Sequence, residues 1–148
     1  MRKFGNTRME IKRVGFGGIP IQRISQEDTN KVIDELEKCG VNFIDTARGY
    51  TISEEYLGNA LKGRREKFYI ATKSMSRDYE SMKKDIEISL KNLQTDYIDL
   101  YQMHNVKPAE YDTIFGEDRA YRALLEAKEA GKIKHIGITS HGLETVEK

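Results

Sequence analysis

The segment Val41–Lys73 limits the possible folds of this chain more than any other stretch of its sequence. Two short apolar runs in it end in the charged residues Asp45 and Lys73, and an amphipathic segment lies between the runs. This order predicts two buried strands that flank one helix. A helical crossover makes the strands parallel and places their carboxyl-terminal ends at the same edge of a sheet. We therefore expect Asp45, Lys73 and Tyr50, which follows the first strand, to lie close together.

Apolar runs and amphipathic segments continue to alternate along the rest of the chain. Strands are predicted at residues 13–18, 41–45, 68–73, 97–104 and 134–139. Helices are predicted at residues 25–39, 53–62, 79–92 and 118–130, with a fifth beginning at residue 143; a hairpin is predicted at about residues 2–11 and a loop at residues 105–116. One strand and one helix recur about every 30 residues, which is typical of parallel α/β folds.

Composition argues against several classes of protein. The formal net charge is +1, which does not indicate binding to nucleic acid or to an anionic membrane. No apolar run approaches the roughly 20 residues of a membrane-spanning helix, and the first residues do not resemble a signal peptide. The single cysteine, Cys39, is typical of a reducing compartment, so we expect a cytoplasmic location. Cys39 itself is expected to be a small core residue near a helix end.

Several separated motifs resemble those of the aldo-keto reductases. Within the segment that organises the fold, Asp45, Tyr50 and Lys73 have the spacing of that family's catalytic residues. The fourth catalytic residue of the family is matched by His104, which ends the strand sequence DLYQMH. The resemblance runs from the first predicted strand of the sheet to the last one and so covers most of the chain. It implies an oxidoreductase that uses NADPH to reduce the carbonyl group of a small aldehyde or ketone to an alcohol.

The chemistry of carbonyl reduction accounts for these four residue types. The developing alkoxide needs a proton donor, but a tyrosine is a weak acid at its ordinary pKa of about 10, and a nearby ammonium stabilises the phenolate. The resemblance implies that Tyr50 donates the proton, that Lys73 assists it, and that Asp45 holds Lys73 charged and oriented. It also implies that His104 forms a hydrogen bond with the carbonyl oxygen and selects its pose.

Each of these residues also has a simpler interpretation. Taken singly, the aspartate and the lysine could form a structural ion pair, the histidine could belong to the core, and the tyrosine could be an ordinary loop residue. Their common position, at strand ends or in the loops that follow, favours catalysis, because that edge carries the active site in barrel enzymes. Arg48 and Glu54, in the same stretch, are expected to be solvated or structural.

Five residues are candidates for binding the cofactor: Gly17, Gly18, Asp45, Thr139 and Ser140. The resemblance implies that the glycine-rich end of the first strand lies near the nicotinamide. Thr139 and Ser140 stand where the family often has Ser-Asn, so polar side chains are kept but the asparagine amide is lost. In the family, the basic residues that bind the 2′-phosphate of NADP lie in the last third of the barrel. No metal site is predicted, and one cysteine cannot build the iron–sulfur cluster that some relatives carry.

The chain length predicts an incomplete barrel. A closed (β/α)8 barrel takes about 250 residues, whereas this chain has 148. Residues 1–148 are expected to form the amino-terminal part of such a barrel, with about five strands and four to five helices, preceded by the short hairpin. The first and last strands would leave open edges through which the chain could self-associate. The alternative fold is a complete, doubly wound domain of flavodoxin type.

Two other functions also fit the sequence. The chain could be a non-catalytic half-barrel or binding module that keeps the pocket without holding the cofactor. It could also be a lyase or isomerase in which Lys73 forms a Schiff base with a carbonyl substrate. Asp45 argues against the Schiff base, because an ion pair keeps the lysine amine protonated. As a reductase, an incomplete barrel is expected to have impaired activity.

Overall fold

The computed structural model describes residues 1–147, which form a short hairpin followed by a series of strands and helices. The strands are β1 (Arg2–Lys3), β2 (Glu10–Ile11), β3 (Phe16–Gly17), β4 (Phe43–Asp45), β5 (Tyr69–Ser74), β6 (Ile98–Met103) and β7 (Ile133–Ile138). The helices are α1 (Gln26–Lys38), α2 (Ser53–Ala60), α3 (Tyr79–Leu93), α4 (Pro108–Tyr111), α5 (Ala120–Glu129) and α6 (Leu143–Val146), with short 3₁₀ turns at Ile19–Arg23 and Arg65–Lys67. None of these helices is long and apolar enough to cross a membrane.

One five-stranded sheet holds the candidate site. Its strands lie in the order β3-β4-β5-β6-β7, and each neighbouring pair is parallel. Because every strand pairs with the next strand along the chain, the sheet consists of five consecutive units of a (β/α) barrel that is not closed. A flavodoxin-like domain would need the strand order 2-1-3-4-5, so that alternative is wrong. Within residues 1–147, β3 and β7 each pair on one side only, as predicted for the open edges.

The register of the sheet decides which side chains share its inner face. Asp45 pairs with Ala71, and Lys73, two residues further along β5, pairs with Gln102. Side chains two residues apart on a strand point to the same face, and residues paired across parallel strands do so as well. Asp45, Lys73 and Gln102 therefore lie on one face, whereas the residue between Ala71 and Lys73, Thr72, points to the helices.

The predicted amino-terminal hairpin is present and is attached to the lower end of the sheet. Strands β1 and β2 are antiparallel. Asn42, just before β4, binds the hairpin strand β2 and its continuation: its Nδ2 donates to the Glu10 carbonyl oxygen at 2.9 Å, and its Oδ1 accepts from the Lys12 N–H at 3.1 Å. The rings of Phe4 and Phe43 lie 5.3 Å apart. The hairpin thus packs at the edge opposite to the candidate site.

Helix α1 shows how the local sequence sets the helix ends. The Ser25 Oγ accepts a hydrogen bond from the backbone N–H of Asp28 at 3.0 Å, which satisfies one of the free donors of the first turn. Gly40 follows the helix with a φ of 67°, a left-handed conformation that glycine adopts without steric cost. Between these ends, α1 buries Thr29 and Ile33.

Two local predictions are wrong. Cys39 is exposed and not part of the core. It lies beyond the end of α1 and six residues after the buried Ile33, which places it about 240° away around the helix axis. The stretch 105–116 is not an irregular loop throughout, because it contains α4. The carboxylate of Glu110 accepts a hydrogen bond from the backbone N–H of Lys107 at 3.0 Å and caps this short helix.

Helices α2 and α3 cross at a glycine. A Cβ built on Gly58 would lie 2.1 Å from the carbonyl oxygen of Asn92 and 2.9 Å from two backbone atoms of Leu93. Both neighbours belong to the backbone of α3, so neither can rotate away as a flexible side chain could. The missing side chain at Gly58 therefore sets the distance between the two helices.

An open groove of about 710 Å³ runs along the edge strand β7. Its apolar walls include Leu100, Phe115, Tyr121, Leu125, Ile136 and Ile138. An apolar surface of this kind is expected beside the open edge of an incomplete barrel, because further strands and helices would cover it in a closed one.

Candidate active site

Asp45 and Lys73, at the ends of the neighbouring strands β4 and β5, form an ion pair. The Lys73 Nζ donates hydrogen bonds to Asp45 Oδ2 at 2.5 Å and to the Thr46 carbonyl oxygen at 2.8 Å. The Lys73 side chain is only 6% exposed, and these two acceptors offset the cost of burying its charge. The predicted contact between Asp45 and Lys73 is therefore present. An ammonium group has three N–H donors, so one remains for another partner.

Tyr50 lies beside that ammonium. The Lys73 Nζ is 5.0 Å from the centroid of the Tyr50 ring, which is within the range of a cation–π interaction. Turns shape the loop between β4 and α2: the Tyr50 N–H donates to the Ala47 carbonyl oxygen at 3.0 Å, and the Ser53 N–H donates to the Tyr50 carbonyl oxygen at 2.8 Å. The loop thus holds the half-buried Tyr50 ring over the carboxyl-terminal edge of the sheet, as predicted.

His104 completes the group from the end of β6. Its backbone N–H donates to the Ser74 carbonyl oxygen at 2.8 Å, and its ring lies 6.0 Å from the Tyr50 ring at an angle of 86°. Burial lowers the pKa of His104, and the positive charge of Lys73 lowers it further, so the imidazole is neutral at pH 7. Its Nδ1 is buried and has no hydrogen-bond partner in the described part of the chain. Nε2 is therefore the nitrogen that could contact a ligand.

The lowered pKa of His104 predicts a specific dependence on pH. The unfolded chain binds a proton at His104 near the ordinary pKa of 6.5, whereas the folded chain binds it only at a lower pH. Because the unfolded state then holds more protons, we expect the free energy of unfolding to fall as the pH drops below 6.5. Proton NMR should give a titration midpoint for His104 below 6.5.

The variant His104→Gln is the control for the dependence of stability on pH. It removes the imidazole and keeps the carboxylates that also titrate in acid. The slope of stability against pH just below 6.5 should be smaller in His104→Gln than in the unchanged chain. A His104 midpoint at or above 6.5 would contradict the prediction.

Gln102 is a further member of the site that the sequence did not identify as functional. Its Nε2 donates to Asp45 Oδ1 at 3.4 Å, the oxygen that does not bind Lys73. Gly137, its partner in register on β7, leaves room for this side chain, because a Cβ there would lie 3.2 Å from Gln102 Cγ. Gln102 thus reaches Asp45 from β6, across the intervening strand β5.

Gly17 and Gly18, both predicted to lie near the nicotinamide, have different surroundings. A Cβ on Gly17 would meet nothing within 4 Å, so the backbone there is open to solvent. A Cβ on Gly18 would lie 2.8 Å from Ser53 Oγ and 3.2 Å from the Asp45 carbonyl oxygen. Packing alone accounts for Gly18, whereas no neighbouring atom explains the glycine at position 17.

Thr139 and Ser140 follow β7 at the same edge of the sheet as His104. The Thr139 Oγ1 accepts a hydrogen bond from the Asn105 N–H at 2.8 Å, and the Ser140 Oγ accepts one from the Gly142 N–H at 3.1 Å. Each hydroxyl keeps its own hydrogen to donate. The asparagine of the family pattern is missing. Their role in cofactor binding stays a prediction.

Comparison with known proteins identifies the family of the chain. The model of the aldo/keto reductase family matches residues 13–148. The chain is 33% identical over 159 residues to L-galactose dehydrogenase of Arabidopsis thaliana. This match covers 97% of the chain and 49% of that protein. The chain is also 33% identical over 134 residues to methylglyoxal reductase DkgA of Escherichia coli K12, with coverage of 88% and 47%. The chain thus spans about half the length of the curated relatives it matches.

Solved structures agree with the sequence comparison. The holo form of aldo-keto reductase AKR11C1 from Bacillus halodurans superposes with a TM-score of 0.86 at 30% identity, covering 99% of this chain and 52% of that one. The aldo-keto reductase MGS-M4 from a deep-sea metagenome superposes with a TM-score of 0.78 at 33% identity, covering 96% and 51%. The region matched by the family model contains all four residues that meet at the strand ends. The chain therefore belongs to the aldo/keto reductase family.

Proposed function

We propose that this chain supplies the catalytic residues of a cytoplasmic, NADPH-dependent reductase that converts aldehyde or ketone groups of small molecules to alcohols. The observation that carries the proposal is the meeting of four side chains at one edge of the sheet, Asp45, Tyr50, Lys73 and His104. In barrel enzymes that edge holds the active site. The names of the relatives, a methylglyoxal reductase and an L-galactose dehydrogenase, support a small carbonyl compound or alcohol as the reactant.

In the proposed reaction, Tyr50 donates its hydroxyl proton to the carbonyl oxygen of the substrate. The Lys73 ammonium, which lies beside the Tyr50 ring, stabilises the phenolate that remains. Asp45 keeps Lys73 protonated and oriented, and this pairing also disfavours the alternative in which Lys73 forms a Schiff base. Neutral His104 donates a hydrogen bond from Nε2 to the carbonyl oxygen and fixes its orientation. When bound, NADPH supplies the hydride.

The residues of this chain fit the nicotinamide end of the cofactor. The open backbone at Gly17 would accept the ring, and Asp45 lies next to it as its partner in register. The hydroxyls of Thr139 and Ser140 would bind the carboxamide. In the family, the residues that bind the 2′-phosphate lie in the last third of the barrel, so we propose that NADPH binds weakly to this chain alone.

The proposal predicts that residues 1–148 reduce carbonyl compounds very slowly by themselves. Hydride transfer needs reacting atoms held at about 3–3.5 Å, and the open barrel cannot hold the whole cofactor. Fusion of this chain to the carboxyl-terminal half of a related reductase should restore NADPH-dependent reduction of methylglyoxal, measured as loss of NADPH absorbance. Robust turnover by the chain alone would contradict the prediction. A folded fusion without turnover would favour the alternative of a non-catalytic binding module.

We also propose that the chain self-associates through its open side. The free edge of β7 and the groove beside it combine unpaired backbone groups with apolar side chains, and both favour association. Sedimentation should show dimers or larger assemblies. Leu125→Lys, which places a charge in the groove, should shift the chain towards monomer, whereas Met75→Lys, at an exposed apolar residue outside the groove, should not. A monomer at high concentration would contradict this.

A further inference from the structure

We propose that Glu54 positions the Tyr50 loop, residues 46–52, through its ion pair with Arg48. The inference rests on the proposed function, because it explains how Tyr50 is held where it could donate a proton. Glu54 is a positioning residue in this proposal and not a catalytic one, since its carboxylate faces the layer between sheet and helices, away from Lys73 and His104.

The Glu54 carboxylate is a fixed, buried anchor. Glu54 lies in the first turn of α2, and its side chain is 1% exposed. Its Oε1 accepts hydrogen bonds from Thr72 Oγ1 at 2.8 Å and from Ser89 Oγ at 2.7 Å. Its Oε2 accepts one from Arg48 Nη1 at 2.8 Å and a longer one from Asn92 Nδ2 at 3.4 Å. A buried carboxylate with donors from β5, α3 and the loop has no freedom to move independently of them.

Arg48 connects the Glu54 carboxylate to the Tyr50 loop. It lies two residues before Tyr50, and its backbone N–H donates to the Lys73 carbonyl oxygen at 2.9 Å. Its side chain is 23% exposed and lies between Glu54 and Asp85, with Nε 3.7 Å from Asp85 Oδ1. The backbone of Arg48 is thus attached to the strand that bears Lys73, while its guanidinium is attached to the helix layer.

Asp85 is the weaker of the two carboxylates that hold Arg48. It accepts hydrogen bonds from the hydroxyls of Ser74 and Ser76, and its Oδ1 lies 3.7 Å from the guanidinium, whereas Glu54 Oε2 lies 2.8 Å from it. The Arg48 Nε is buried and has no hydrogen-bond partner within residues 1–147. The charge-assisted bond from Nη1 to Glu54 is therefore the main contact that fixes the guanidinium.

The loop needs an anchor of this kind because its own backbone is strained. Thr51, next to Tyr50, has a φ of 43°, in the left-handed region that β-branched residues rarely adopt. Such a conformation persists only where the surroundings enforce it. The loop already contacts the start of α2, because the Ser53 N–H donates to the Tyr50 carbonyl oxygen and the hydroxyls of Thr46 and Ser53 lie 2.8 Å apart. The pair of Arg48 and Glu54 adds a charged connection from the loop to the buried layer between the sheet and the helices.

Amide hydrogen exchange on the 148-residue chain tests the proposal without any need for activity. Glu54→Gln removes the charge but keeps the shape, and the Tyr50 amide should then exchange at least about tenfold faster, as expected for loss of a charge-assisted hydrogen bond. The matched control is Glu55→Gln, because Glu55 is the exposed neighbour of Glu54 in α2. The Ile70 amide, in the middle of the sheet, serves as the reference for global opening.

The comparison between the two amides decides the outcome. Under the proposal, Glu54→Gln accelerates exchange at Tyr50 more than at Ile70, and Glu55→Gln changes neither. Equal acceleration at both amides would overturn the proposal, because it would show a loss of stability with no specific effect on the loop.

A double variant separates positioning from stability. Arg48→Gln alone leaves the buried Glu54 charge unpaired and should destabilise the chain. Adding Glu54→Gln removes that charge, so the double variant should recover stability while exchange at Tyr50 stays fast. Recovery of slow exchange at Tyr50 together with stability would overturn the proposal.

Kinetics of the fused, complete barrel distinguish this proposal from the proposed function. There, Glu54→Gln should lower kcat about tenfold with KM for NADPH unchanged, because a misplaced acid affects the chemical step. An inactive fusion whose Tyr50 amide still responds to Glu54→Gln would refute the proposed function and leave the anchor intact. An active fusion in which Glu54→Gln changes neither kcat nor exchange at Tyr50 would refute the anchor alone.

Discussion

Gly58→Ala is expected to destabilise the fold by about 3 kcal/mol or more, at the upper end of the range for overpacked sites. The new Cβ would stand 2.1 Å from the Asn92 carbonyl oxygen, so α2 and α3 would have to move apart. Intrinsic helix propensity predicts the opposite sign, because alanine is favoured over glycine inside a helix by about 1 kcal/mol. Urea unfolding followed by circular dichroism measures which of the two effects prevails.

Gly49→Ala is the matched control for that experiment. A Cβ on Gly49 would meet nothing within 4 Å, and Gly49 is not among the residues with positive φ. Its free energy of unfolding should change by less than about 0.5 kcal/mol, as is usual for surface substitutions. Unchanged or increased stability in Gly58→Ala would show that the two helices can separate at little cost.

Tyr50→Phe is expected to lower the rate of carbonyl reduction by about 10²–10⁴-fold in the fused barrel, which is the usual contribution of a positioned acid. The substitution removes the hydroxyl proton and keeps the ring beside the Lys73 ammonium. KM should change much less than kcat, because the lost interaction acts on the chemical step. Steady-state kinetics with NADPH and methylglyoxal measure both parameters.

Tyr69→Phe is the control, because Tyr69 is the first residue of β5, whereas Lys73 lies near the carboxyl-terminal end of the same strand. It loses the same hydroxyl far from the site and should keep full activity. Full activity of Tyr50→Phe would mean that another group donates the proton and that the proposed role of Tyr50 is wrong.

The meeting of Asp45, Lys73 and His104 was predictable from the sequence for a simple reason. Each ends or directly follows an apolar run, and the runs are separated by helices, so parallel pairing brings the three positions to one edge. Tyr50 follows Asp45 by only five residues and could not lie far away. The alternation of strands and helices predicted a parallel sheet of about five strands but not its order, because a doubly wound domain has the same alternation.

The burial of Glu54 and the close contact at Gly58 could not be predicted, because they depend on residues far away in the sequence: Thr72 of β5 and Ser89 of α3 bind Glu54, and Asn92 of α3 lies against Gly58. An acid in the first turn of a helix is common, since it interacts favourably with the helix dipole, and nothing near Glu54 in the sequence indicates a buried carboxylate. A glycine inside a short helix looks like a weak point until the distance to Asn92 is known. The exposed Cys39 illustrates the same limit, because residue type alone does not fix the side of a helix that faces the core.

The strict succession of strands in the sheet also has a consequence for synthesis on the ribosome. Ala71 follows its partner Asp45 by 26 residues, and Leu100 follows Ala71 by 29. At about 5–20 residues per second, each strand waits roughly 1.5–6 s for the next one to emerge. The nascent sheet can therefore grow in chain order, but at every stage the backbone of its newest strand is unpaired on one side. Chaperones that shield apolar edges would have most effect during these intervals, and slow translation between β/α units would lengthen the exposure.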